Sequence, residues 1–164
     1  MKKVHIVTYT HWDREFRWEF ERTRMRLVDC IDHLLEIMEE KPDYRSFLFD
    51  GQFTLIEDYL EIRPEKKEQI KKLVKDGKWH IMGGWYLQPD CLMQYGVKRC
   101  REFGEPLKCG YNVFSFGQIG QLPQIYADFD IDTIIFYKYM DPSKSKYHEF
   151  IWEAPDGTKA FASR

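Results

Sequence analysis

The sequence predicts an α/β fold made of repeated βα units, a parallel sheet with helices outside it, either closed into a barrel or open and doubly wound. Three observations predict it. Short apolar runs alternate with stretches of helical periodicity along most of the chain, and crossovers of helical length are what parallel strands need. The runs are followed by polar or glycine-containing exits, as strand ends are when they feed a loop. A chain of 164 residues with 43% hydrophobic and 16% aromatic residues is long enough and apolar enough to bury one core.

The elements follow in order. Val4 to Thr10 reads as a first strand buried on both faces. Leu27, Cys30, Ile31, Leu34, Leu35 and Met38 recur at three and four residues and make one stripe on a long helix, which Pro42 ends. Ser46 to Phe49 is a second strand with the polar exit Asp50-Gly51, and Phe53 to Leu60 reads as a helix. Pro64 opens another helix through Val74, with Ile70, Leu73 and Val74 facing in, four lysines in solvent and Gly77 as its C-terminal cap. Trp79 to Met82 is a third strand. A short helix from Gly96 to Phe103, a strand from Tyr111 to Phe114, a helix from Leu122 to Phe129 and a strand from Thr133 to Tyr137 continue the alternation. The second of these helices ends at Asp128-Phe129-Asp130, where a left-handed cap without glycine falls to an aspartate. Phe150 to Glu153 and Ala160 to Ala162, joined by the turn Ala154-Pro155-Asp156-Gly157-Thr158, form a hairpin.

Composition narrows the function classes. A net charge of -2 with interleaved Lys and Glu gives no basic stripe for nucleic acid. No apolar segment reaches the length of a membrane span or a signal peptide, so no membrane association and a cytoplasmic location are expected. Cys30, Cys91, Cys100 and Cys109 lack the paired spacing of a zinc knuckle and read as reduced thiols.

Two stretches carry candidate chemistry. His11 and Asp13 leave the end of the first strand, and alternate residues of extended backbone point the same way, so both side chains can face one cation at the mouth of the sheet. A His-x-Asp also arises by chance, but charge directly beyond a buried strand is hard to explain by packing. After the third strand, Gly83-Gly84-Trp85-Tyr86-Leu87-Gln88-Pro89-Asp90 combines glycines that let backbone approach a ligand with two aromatic rings able to stack on a sugar. Asp90 is able to bond sugar hydroxyls, and Trp85 and Tyr86 read equally well as cover for the sheet end. His5, His33, His80 and His148 read as packed or surface histidines. Tyr137 and Tyr139 read as structural cover.

Several motifs together resemble one family. His11-Trp12-Asp13-Arg14-Glu15-Phe16, Phe49-Asp50-Gly51-Gln52, Gly83 to Asp90, Phe116-Gly117 ahead of Gln121-Leu122-Pro123-Gln124, and Trp152-Glu153-Ala154-Pro155-Asp156-Gly157 occur in the order found in the N-terminal catalytic domain of glycoside hydrolase family 38 α-mannosidases. The resemblance spans essentially residues 1–164 and implies the N-terminal part of a parallel (β/α) barrel of the seven-stranded glycoside hydrolase/deacetylase type, incomplete here. It also implies a zinc ion and retaining hydrolysis of an α-mannoside or oligosaccharide. By that resemblance His11 and Asp13 are zinc ligands, and Trp85, Tyr86 and Asp90 lie near the substrate cleft.

The chain departs from the family at the nucleophile. The family's Asp-x-Phe-Gly-His motif reads here Phe114-Ser115-Phe116-Gly117-Gln118, so Phe114 stands at the Asp position and Gln118 at the His position. Tyr95-Gly96-Val97 keeps only the glycine of a Ser-Gly-Glu motif. The later acid/base Asp and the last His ligand are expected beyond Arg164. A retaining site needs two carboxyl groups about 5 Å apart, and this sequence does not obviously supply them. Two other readings therefore stand beside the hydrolase: a non-catalytic mannose-binding remnant, and a metal-dependent carbohydrate deacetylase, which would want a second His pair at helical spacing. An incomplete barrel leaves strand edges open, so the remainder of the barrel or a second copy of the chain is the expected protein partner.

Overall fold

The computed structural model describes residues 2–49, 52–81, 93–112, 117–137, 143 and 146–164. Its first half is a three-stranded parallel sheet in the order β1 (Thr8–Thr10), β2 (Phe47–Phe49), β3 (Trp79–His80). Between the strands run α1 (Phe20–Glu40), then α2 (Thr54–Ile62), a 3-10 turn over Pro64–Lys66 and α3 (Lys67–Lys75). α1 buries Leu27, Val28, Ile31, Leu34, Leu35 and Met38, the spacing of one helical face. Each such side chain removed from water contributes about 1.5–3 kcal/mol. The helix stops at Lys41, whose amide still reaches the Ile37 carbonyl at 2.9 Å, because the residue before Pro42 is driven out of helical backbone. α3 closes as expected on Gly77. At φ +67 its amide bonds the Val74 carbonyl, and the Lys78 amide bonds the Leu73 carbonyl. Ile70 and Val74 are buried, and Leu73 is half-buried.

The second half holds α4 (Met93–Phe103), β4 (Cys109–Asn112), α5 (Leu122–Ala127), β5 (Thr133–Phe136) and the hairpin β6 (Glu149–Glu153) and β7 (Lys159–Ser163). The sheet order is β4-β5-β7-β6, with β4, β5 and β7 parallel and only β6 antiparallel. The hairpin therefore joins the sheet through its second strand. β4 begins two residues earlier than the sequence suggests, because Cys109 pairs with Thr133. Gly110 then lies against the ring of Tyr126, where any Cβ would come within 2.3 Å of it. The turn that follows α5 closes on Asp130 at φ 60, whose amide bonds the Ala127 carbonyl while that of Ile131 bonds Tyr126, so the aspartate takes the left-handed position.

One core runs under both sheets and includes Phe49, Tyr59, Trp79, Phe103, Tyr126, Ile134 and Ala162. Phe53 and Phe103 meet edge to face at 5.1 Å, and Arg99 Nε donates to Glu57 at 2.7 Å, fastening α4 to α2. The fold is thus mixed α/β with parallel sheets, as the alternation predicts; the described residues form two sheets, not one closed wall.

The first strand departs from expectation. It pairs only from Thr8 onward, and Val4, Ile6 and Val7 are 79%, 86% and 67% exposed. β1 is the edge of its sheet, and among the described residues nothing pairs with its outer side. Among the described residues no helix is long and apolar enough to cross a membrane.

Candidate active site

β1, β2 and β3 are parallel, so the segments leaving their carboxyl ends emerge along one edge of the sheet. His11 and Asp13 leave β1 there, and Gln52 follows β2. Trp85, Tyr86 and Asp90, which follow β3, lie outside the described residues, as does Phe114.

His11 Nε2 and Asp13 Oδ1 stand 3.1 Å apart, both side chains open to solvent. Two donors each about 2.0–2.1 Å from a tetrahedral zinc lie roughly 3.3 Å from one another. The two side chains are hydrogen-bonded to each other, and their spacing is also close to that of two ligands converging on one ion. Among the described residues no third His, Cys, Asp or Glu joins them in a metal-sized group.

The loop carrying the pair is fastened from the far side. Gln52 Nε2 donates to the Trp12 carbonyl at 3.1 Å. Arg14 donates through Nε and Nη2 to the two oxygens of Asp58 at 2.7 and 2.8 Å, a bidentate pair with the carboxylate 10% exposed. The Trp12 side chain packs against the core. The sequence reading missed Asp58. Its signal was available: Asp58 sits between Leu55, Ile56 and Tyr59 on the buried face of α2, where a carboxylate needs a cationic partner.

A cavity of about 370 Å³ opens at this loop, lined by His11, Trp12 and Asp13 together with Phe16 and Trp18 among others. Its walls combine a metal-competent pair with indole and phenyl surfaces, the composition that suits a ring with one apolar face and several hydroxyls.

Further along, Asn112 Nδ2 donates to Gln118 Oε1 at 2.8 Å, which ties the end of β4 to the start of the segment leading into α5. Glu105, in the turn after α4, lies buried and accepts a hydrogen bond from the Ile81 amide at 2.7 Å, just past the end of β3. Its second oxygen is 3.8 Å from His80 Nδ1. Burial pushes the Glu105 carboxyl up, against the Ile81 amide and His80, which lower it. His80 is thus half-buried at the flank of this carboxylate, and His33 is a surface residue beside Glu36. Cys30, Cys100 and Cys109 are free thiols; burial raises all three, Cys109 to about 11.

Comparison with known proteins agrees with the family resemblance. The model of the glycosyl hydrolases family 38 N-terminal domain matches residues 1–164. A protein of Halalkalibacterium halodurans named a putative mannosylglycerate hydrolase is 36% identical over 96% of this chain, which spans 20% of that relative's length. The crystal structure of an α-mannosidase from Enterococcus faecalis V583 superimposes with a TM-score of 0.85 at 37% identity, over 96% of this chain and 19% of the other. A second Enterococcus faecalis structure, a protein in glycosyl hydrolase family 38, gives 0.72 at 33% identity over 96% of this chain and 18% of that one.

Proposed function

The chain belongs to glycosyl hydrolase family 38, and from that premise we propose that it forms the N-terminal part of a zinc-dependent, retaining α-mannosidase site on a seven-stranded (β/α) barrel. The observation that carries the reading is the His11–Asp13 donor pair, 3.1 Å apart at the carboxyl edge of a parallel sheet and lining a cavity walled with aromatic rings.

His11 and Asp13 would hold the zinc. When bound, the ion supplies a Lewis acid for sugar hydroxyls and favours ring distortion towards an oxocarbenium-like transition state. The chain's own residues set the geometry around it. Gln52 and Asp58 fix the loop through Trp12 and Arg14, so the two donors do not have to be ordered at the moment of binding. Trp12, Phe16 and Trp18 supply the aromatic part of the cavity wall. Trp85 and Tyr86 stack on the sugar and Asp90 bonds its hydroxyls in this reading. Two protein ligands bind zinc weakly, because such sites normally use three or four.

Phe114 cannot attack an anomeric carbon, and this favours a second reading in which the chain binds an α-mannoside without turning it over. Both are tested by one series on the full chain: hydrolysis of 4-nitrophenyl α-mannoside, and binding of methyl α-mannoside, each with zinc, with chelator and with His11→Ala. Zinc-dependent turnover lost in His11→Ala supports the hydrolase. Zinc-dependent binding without turnover supports the binding module. Turnover or binding indifferent to chelator and to His11→Ala removes the metal from the reading.

A further inference from the structure

We propose that the exposed face of α1 is a self-association surface, on which a second copy of this chain docks its own α1 antiparallel.

α1 buries one face, and the residues opposite it are Arg22, Arg26, Asp29, His33, Glu36 and Glu40, all exposed. Their spacing alternates between four and three residues, which keeps them on one seam along a helix of 21 residues, about 30 Å long. The charge order along that seam runs against what a lone helix favours. Arg22 stands in the first turn, where the helix dipole favours an anion, and Glu40 in the last, where it favours a cation. Arg22 and Arg26 are like charges one turn apart, and so are Glu36 and Glu40. Within the helix His33 meets Glu36 at 3.4 Å, with both side chains still open to solvent.

One partner relieves all of these at once. About the level of Ile31 the seam is symmetric in position and complementary in chemistry. An antiparallel copy therefore sets Arg22 against Glu40, Arg26 against Glu36 and Asp29 against His33, and twofold symmetry makes each pair twice. A parallel copy would set like charge against like. The guanidinium groups of Arg26 and Arg22 lie 4.1 and 5.4 Å from the Trp18 ring centre, and a stacked guanidinium keeps its N–H edge for a carboxylate while losing less side-chain freedom. On one flank of the seam the exposed Met25 and Ile62 line a hollow of about 240 Å³, apolar surface that the second copy covers in part. A single helix pair held mainly by charge makes a weak dimer that salt dissolves.

Sedimentation equilibrium on the full chain tests this. At low salt and roughly 100 µM chain a monomer–dimer equilibrium is expected, moving to monomer at about 0.5 M salt. Arg22→Glu with Arg26→Glu weakens self-association roughly tenfold or more, and Glu36→Arg with Glu40→Arg does the same. An equimolar mixture of the two double variants regains the original association, because each seam then meets its complement. Ile6→Ser, on the open edge of β1, leaves the association unchanged. Circular dichroism confirms that each variant folds, and the salt dependence of the unsubstituted chain reads the same pairs without any substitution. A chain that stays monomeric at low salt overturns the proposal. So does a dimer indifferent to salt or to both charge reversals, a mixture that associates no better than its components, or a dimer lost in Ile6→Ser, which would place the contact at the strand edge.

Discussion

The two sheets hold their working loops by opposite means. In the second sheet, the turn between β6 and β7 is closed by neighbours. The Ala154 amide bonds the Thr158 carbonyl at 2.8 Å, Gly157 takes φ +88, and Asp156 accepts from the Thr158 amide and hydroxyl at 3.0 and 2.9 Å. In the first sheet, the loop bearing His11 and Asp13 is held by Gln52 and Asp58, residues 40 and 44 positions away. A turn held by its neighbours keeps its shape wherever it is placed. A loop held from afar has a shape only when the surrounding fold is complete.

The largest expected effect lies in the second sheet's attachment to its helix. Gly110→Ala places a Cβ about 2.3 Å from the buried Tyr126 ring, and thermal unfolding should reveal a loss of about 3 kcal/mol or more, since backbone and ring must both shift. Arg14→Met comes next. It leaves Asp58 nearly buried without its cation, and with Arg14 itself 31% exposed the loss should be about 2 kcal/mol in urea unfolding. Asp58→Asn, which keeps an acceptor, should lose less; equal losses would mean that the charge is immaterial.

Glu105 offers a pH test of the join between β3 and the turn after α4. Its folded pKa is raised by burial, so the folded state holds this proton more tightly than the unfolded chain does. The contribution of Glu105 to stability is then fully present below the ordinary carboxylate range and is lost as pH rises through the raised folded value. Glu105→Gln should flatten that decline, and an unchanged pH profile would refute the assignment. Asp156 runs the other way: bonds from the Thr158 amide and hydroxyl lower its pKa, so its contribution is present above the ordinary Asp value and lost as pH falls through the folded one. Asp156→Ala should lower the melting temperature slightly at neutral pH and not at all at low pH. The smallest effect is expected at Ile6. At 86% exposure, Ile6→Ser should change the stability of this chain by less than about 0.5 kcal/mol.

What could be read in the sequence follows the same division. The α1 stripe, the Gly77 cap, the Asp130 cap and the hairpin were all legible, because each is decided within a few residues by periodicity, by positive φ or by turn chemistry. The His11–Asp13 pair was legible for the same reason, since alternation along extended backbone is local. Burial of Val4 to Val7 was misjudged because an apolar run does not reveal whether its strand is central or at an edge. The partner of Asp58 was invisible. Which carboxylate reaches which guanidinium depends on how α1 and α2 pack, and spacing along the chain says nothing of that.

The Gln52 and Asp58 anchors also set an order of events. Neither can form until β2 has paired beside β1 and α2 has docked, which requires closing a loop of some 40 residues. During refolding, the His11–Asp13 loop is therefore among the last parts to become rigid, after the helices and the hairpin. Zinc added at the start of refolding would meet a mobile pair with no fixed bite, and should not speed the folding of this chain.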